Sequence, residues 1–392
     1  MIWALIIKNW PFLVRLSVSL SSVPLMLYYA SLLGPERRSI MVFLFVLSAL
    51  FMQLVVLPAA HQYRRQTGGT SFLYRFHADY FHKILFLILA SIPIYNLILL
   101  AFSFIVAPIP SNLFLVSLLY WVISHFGFAL QEYLQVLQRF KLDALVSFLG
   151  LLAQAFSIYL FLSFSSFSIF TSILLSLCVG SCLRILVTLI VFFTNDDYQE
   201  FRKDNEFFNF KEIIYSTTAR ANFLDTYIRL VVGFTLPLGT LAKCTLVIAL
   251  LFPLRTILDI SIRYRISNRI KIFTSSKGKR NTLVLVSIAI LSFPISHLLN
   301  CLLLRILGAE WLLPIQIVMA LIIFEMYRLA SMLVEDFRIT NQENLQPSRD
   351  YGFFLATISF PALFAIVGIN GLMVLPFVAF FLFWGTLTKH AT

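Results

Sequence analysis

The chain has 392 residues, of which 60% are hydrophobic and only 12% charged; its formal net charge is +12 and its mean hydropathy +0.89. Soluble domains carry about 25% charged residues, so the composition excludes an ordinary globular protein and points to an integral membrane one. The positive charge does not read as a nucleic-acid footprint, because most basic residues sit in short loops between apolar runs, where they act as an orientation signal.

A helix needs about 20 apolar residues to cross the hydrocarbon layer. On that ruler the sequence predicts twelve spans, at 10–33, 39–60, 84–108, 113–136, 142–165, 169–193, 213–236, 243–265, 281–304, 312–333, 351–368 and 371–388. Segment length and the lack of alternation predict helices rather than a barrel. At the start, Lys8 precedes an apolar run interrupted by Arg15 and no small-residue cleavage site follows, so the stretch reads as a first span rather than a signal peptide. The fold class predicted is an all-α polytopic membrane protein of twelve helices in two six-helix lobes. The N-terminal lobe covers 1–193 and the C-terminal lobe 213–392. Between them lies a polar linker, Thr194 to Glu212, with nine charged residues in nineteen.

Charge counting fixes the expected orientation. With both termini in the cytoplasm, six arginines lie within spans and only Arg37, Arg38, Lys243 and Arg305 face the other side. The remaining twenty of the 30 Lys and Arg are cytoplasmic, a strong positive-inside bias. The cytoplasmic loop Arg263–Arg280 holds seven cations and no acid, which suits anionic lipid headgroups.

A weak internal repeat is also visible. Shifting the second half back by 205 residues lays Gly239 on Gly34, Leu238 on Leu33 and Arg220 on Arg15. Internal repeats are common in secondary transporters, with the substrate site between them.

The candidate functional residues are charges inside the spans. Such a charge costs about 2.5–3.5 kcal/mol on insertion scales, so one that persists faces protein or water. Arg15, Arg220, Arg229, Arg255 and Arg328 are the candidate substrate-cavity residues, and Glu132, Asp225, Asp259 and Glu325 the candidate ion-coupling acids. Asp225 and Arg229 are four apart, as are Arg255 and Asp259, and Glu325 and Arg328 are three apart; each spacing places both groups on one helix face, where they can also neutralise one another. Arg15 and Arg220 have no acid at that spacing, and snorkelling to the cytoplasmic surface is the competing reading. Arg220 and Arg229 are nine apart, half a turn out of phase, so a straight helix cannot aim both at one cavity. Arg184 sits near mid-span and needs a partner from elsewhere in the chain, Asp225 or a carbonyl. His125 and His297 read as interior histidines. The excess of arginine suits phosphate and pyrophosphate, whose oxygens the planar guanidinium matches.

Cys178, Cys182, Cys244 and Cys301 all lie in apolar spans, with neither a disulfide framework nor metal-ligand spacing, so no metal and no cofactor is expected. There is no Gly-x-x-x-x-Gly-Lys-Ser/Thr loop for a nucleotide. Without a sizeable external loop to carry catalytic groups, a membrane glycosyltransferase or polymerase is the weaker expectation, and the chain is not expected to be an enzyme. Asp196-Asp197 lies among other linker charges and reads as a solvated face.

Three stretches carry a resemblance. These are Leu130-Gln-Glu-Tyr-Leu-Gln-Val-Leu-Gln-Arg139-Phe-Lys141 leading into an apolar span, Leu307-Gly-Ala-Glu-Trp311, and Gly368-Ile-Asn-Gly371. With them the chain resembles the polysaccharide flippases of the Wzx type, in the superfamily that includes the MATE drug exporters and the lipid II flippases. The resemblance implies two six-helix lobes in a V, with a cavity lined by the first, second, fourth, seventh, eighth and tenth spans. It implies flipping of undecaprenyl-pyrophosphate-linked oligosaccharide across a bacterial cytoplasmic membrane. The implied partners are that lipid-linked oligosaccharide, membrane lipids, and a polysaccharide polymerase and chain-length proteins. Arg184 on the sixth span and the uncharged second span depart from the pattern. A MATE-like small-molecule exporter is the alternative; its usual cationic cargo fits an arginine-rich interior poorly.

Overall fold

The computed structural model describes residues 2–52, 78–136, 140–193, 217–253, 256, 278–340, 359 and 361–378, and all the regular structure among them is helical. Seven of the described helices are long and apolar enough to cross a membrane. Their outer faces are apolar too: Phe104 is 87% exposed, Phe164 81% and Ile366 83%. Patches of that kind are rare on soluble monomers and mark a surface solvated by acyl chains. The protein is a multi-pass membrane protein.

The first helical stretch, α1 (Ile2–Phe51), contains the first predicted span and part of the second. Gly34 breaks it, with φ 68° and ψ 170°. Next come α2 (Ala78–Ile105), α3 (Ser111–Val136), α4 (Phe140–Phe164) and α5 (Ile169–Phe193), each within several residues of its predicted span. After the 194–212 linker, which lies outside the described residues, follow α6 (Thr217–Thr235), α7 (Thr240–Leu250), α8 (Gly278–Leu307) and α9 (Ile315–Thr340). A 3₁₀ segment, Gly368–Val374, follows with helix on either side, and Gly368 takes φ 63° where the sequence predicts its last turn. Most of the predicted eighth span beyond 253, and the last span beyond 378, lie outside the described residues.

The chain forms two compact units. One comprises residues 1–25 and 47–210, the other 26–46 and 211–392. Residues 26–46, the middle of α1, thus belong to the unit that also holds 211–392.

In the first unit, α5 packs along α4 and α3, and α2 along α3. Two glycines set the closest approach. A Cβ on Gly180 would lie 2.7 Å from the Gly150 carbonyl oxygen, so the α4 and α5 backbones meet where neither has a side chain. Small residues at such crossings let membrane helices gain packing that lipid cannot supply. Nearby, Tyr95 stacks on Trp121 at 5.0 Å between ring centres, and Phe51 meets Trp121 edge-on at 5.6 Å.

In the second unit α9 is the hub, touching α6, α7, α8 and the Gly368–Val374 segment. Residues 26–46 of α1 belong here. Phe43 packs edge-on against Phe234 at 5.3 Å, and a Cβ on Gly233 would lie 3.1 Å from the Phe43 ring. Ser39, 2% exposed, accepts hydrogen bonds from the backbone N–H groups of Gly239 at 3.0 Å and Ala242 at 3.1 Å. These are amides at the start of α7, which have no partner within their own helix. Gly239 (φ 104°) and Gly34 (φ 68°), the glycines that the 205-residue shift superposes, both occupy the left-handed region. Ser39→Ala strips the α7 amides of their acceptor and is expected to lower stability by about 1–2 kcal/mol, read as a lower unfolding midpoint in detergent, whereas Ser31→Ala, whose hydroxyl bonds only within its own helix and is exposed, moves it little.

Candidate functional site

Among the described residues, each unit holds a cluster of charged side chains that includes ion pairs. The first is built on α4, whose opening turn carries Asp143. An acid there is favoured by the unpaired N–H groups and the positive end of the helix dipole. Asp143 is 1% exposed, and its Oδ2 accepts a hydrogen bond from Arg15 Nη2 on α1, 128 residues away in sequence. Arg15 keeps 19% of its side chain exposed. Seven residues along α4 from Asp143, on the same face, stands Gly150. The Arg184 side chain from α5 lies across it, so close that a Cβ on Gly150 would come within 2.3 Å of Arg184 Nε. From there Arg184 feels the charge of Asp143 and the phenol of Tyr120 on α3. Two buried polar atoms in this cluster make no hydrogen bond among the described residues: Asp143 Oδ1 and Arg184 Nε. Arg15 and Arg184 thus both lie about Asp143.

The second cluster joins α6 and α9. Arg229 grips Asp225 with both arms of its fork, Nε to Oδ1 at 3.0 Å and Nη2 to Oδ2 at 2.8 Å. Arg328 does the same to Glu325, Nε to Oε2 at 2.8 Å and Nη2 to Oε1 at 2.6 Å. Glu325 is 1% exposed and Arg328 2%, and Arg328 also feels the charge of Asp225. Among the described side chains, two cations here face two anions. Asp225 and Arg229 border a small hollow with Cys244, Phe324 and Leu372, with room for about one water molecule.

No protein-family model matches the chain, and no curated protein does. Among solved structures, a MOP superfamily transporter from Pyrococcus furiosus Vc1 (DSM3638), whose binding pocket is described as having reverse polarity, is similar at 14% identity with a TM-score of 0.46, covering 98% of this chain and 95% of that one.

Of the residues the sequence singles out, Arg15, Asp225, Arg229, Glu325 and Arg328 are placed with their partners. Asp225 with Arg229 and Glu325 with Arg328 form the pairs that their spacing allows. Glu132 lies on α3 and Arg220 on α6, but their side chains are outside the described ones, and Arg255 and Asp259 are outside the described residues altogether. Asp143 is not among the candidate residues drawn from the sequence. The available signal was an acid in the first turn of an apolar helix; its partner, 128 residues upstream, leaves no local trace. His125 is an interior histidine, 1% exposed. Its Nδ1 donates to the Trp121 carbonyl at 2.6 Å, which leaves Nε2 as an acceptor without a partner among the described residues.

No group of three or more His, Cys, Asp or Glu residues able to hold a metal occurs among the described residues. The arrangement offers charge and hydrogen-bond donors at membrane depth. That suits recognition of an anion.

Proposed function

We propose that the chain is a translocase that carries undecaprenyl-pyrophosphate-linked oligosaccharide units from the inner to the outer leaflet of a bacterial cytoplasmic membrane, with both termini on the cytoplasmic side. The observation that carries this reading is the guanidinium of Arg184 on α5, whose buried Nε has no hydrogen-bond partner among the described residues. A cation in an apolar span costs several kcal/mol and calls for an anion. A pyrophosphate is the complement: several oxyanion acceptors in the geometry a guanidinium fork fits. The cargo's sugar and phosphate need the polar interior while its prenyl tail stays in lipid, so no covalent step is required. A cationic cargo, as a MATE-like exporter would take, meets no surplus of negative charge in either described cluster.

The test uses vesicles containing the full chain and a fluorescent undecaprenyl-pyrophosphate-linked oligosaccharide, with accessibility to an impermeant quencher followed in time. The triple variant Arg15→Gln, Asp143→Asn, Arg184→Gln removes all three charges together. Loss of charge-assisted hydrogen bonds of about 1.5–3 kcal/mol predicts flipping about ten- to a hundredfold slower. Wild-type flipping no faster than in empty vesicles defeats the reading, as does an unimpaired triple variant.

A further inference from the structure

Arg38 takes no part in the two clusters, and its surroundings call for an explanation. It stands four residues past Gly34, where α1 breaks. It is 7% exposed, yet no carboxylate pairs with it among the described residues. Its Nη1 donates to the Met41 sulfur at 3.7 Å, and its guanidinium carbon lies 5.7 Å from the centre of the Tyr29 ring. A thioether is a weak acceptor and a ring face attracts a cation, but neither carries a negative charge. Nε and Nη2 of the fork make no hydrogen bond among the described residues. A buried charge is costly unless it is both paired and hydrogen-bonded, so what Arg38 lacks is an anion.

Two more cations belong to the same part of the second unit. Arg37 is exposed and Lys243 half-buried. Ser39 ties their segments together, because its hydroxyl accepts from the amides of Gly239 and of Ala242, the neighbour of Lys243. A Cβ on Gly239 would also lie 3.5 Å from Pro35 Cβ, so the start of α7 rests on the bend of α1. Glu36 is the acid of this stretch; it is exposed and makes no ion pair among the described residues. Arg37, Arg38 and Lys243 are three of the four cations that the charge count assigns to the non-cytoplasmic side.

We propose that Arg38 is the ligand of a second oxyanion site, at the non-cytoplasmic end of the second unit, that takes a phosphate or pyrophosphate group. This rests on the translocation reading and deepens it by giving the cargo's charged group a place to arrive. Arg38 supplies a planar fork with donors to spare, the shape that phosphate oxygens fit. Arg37 and Lys243 are nearer the surface, where their charge raises the local concentration of anions. Tyr29 and Met41 hold the guanidinium in place while the site is empty.

The experiment uses the full chain in phosphatidylcholine nanodiscs, titrated calorimetrically with inorganic pyrophosphate and, separately, with farnesyl pyrophosphate. The parent for the comparison carries Arg184→Gln, which takes away the other arginine assigned to the cargo; if that parent does not fold, the unaltered chain serves instead. The parent is expected to bind, and Arg38→Gln added to it is expected to weaken binding about tenfold, the worth of a charge-assisted hydrogen bond. The double change Arg37→Gln, Lys243→Gln touches neither buried side chains nor packing and is expected to weaken binding about two- to fivefold. It keeps the proposal testable if the Arg38 variant does not fold. Arg38-dependent binding of farnesyl pyrophosphate alone identifies a prenyl-linked ligand, of inorganic pyrophosphate alone a free one, and of both a site that reads the oxyanion itself; each supports the proposal. An Arg184→Gln chain that binds neither probe overturns it. So does a folded Arg38→Gln chain that binds as tightly as its parent, or, where that chain does not fold, an Arg37→Gln, Lys243→Gln chain that does so. The vesicle assay separates the two readings: a chain that flips normally without Arg38-dependent binding loses only this inference, and one that binds as expected without flipping loses only the translocation.

Discussion

Replacing Glu325 with alanine is expected to destabilise the protein by about 3–5 kcal/mol, the cost of leaving a buried cation without its partner. Arg328 is 2% exposed and donates from Nε and Nη2 to Glu325, so truncating the acid breaks a buried ion pair inside the α9 packing. Unfolding in detergent, followed by tryptophan fluorescence or protease sensitivity, measures the loss. The double variant Glu325→Leu, Arg328→Leu is expected to recover most of it, since removing both charges of a buried pair is often neutral or better. Equal losses in the single and double variants would show that packing, and not the stranded charge, controls stability there.

The second large effect is at Gly180. An added methyl would meet the Gly150 carbonyl oxygen at 2.7 Å and Gln154 Cβ at 3.2 Å. Neither obstacle is the tip of a flexible side chain, so α4 and α5 must separate. Gly180→Ala is expected to cost about 1–3 kcal/mol for overpacking, towards the upper end of that range, and the roughly 1 kcal/mol by which alanine improves a helix does not cancel it. Gly127 on α3 is the control. Its nearest neighbours would stand at 3.6 Å and beyond, so Gly127→Ala is expected to be neutral or to gain up to about 1 kcal/mol. Both changes are read as shifts in the unfolding midpoint. If Gly180→Ala is as mild as Gly127→Ala, the close approach of the two helices is wrong.

These residues also show what the sequence could and could not reveal. Helices α2 to α5 fall on their predicted spans because an apolar run of membrane length has few alternatives in lipid. The pairs Asp225 with Arg229 and Glu325 with Arg328 were legible because helical spacing alone brings them together. Gly34 could be read as a break because Leu-Gly-Pro follows a full span. The partnership of Arg15 with Asp143 was not legible, since nothing local links residues 128 apart. The close approach of Gly150 and Gly180 emerges only when their two helices are laid side by side. The two pairs of the α6–α9 cluster were implicit in the spacings, but the place of Arg184 depended on its crossing of Gly150, which no local pattern shows.

One consequence follows from the middle of α1, residues 26–46, which packs with the second unit. Ser39 is made 200 residues before Gly239, whose amide it accepts. At about 5–20 residues per second, synthesis leaves that stretch waiting roughly 10–40 seconds for its partners. Through that interval the insertion machinery or a chaperone must shelter it. A gene split within 194–212 would demand that two separately made polypeptides find each other, because the second would lack part of its own interior.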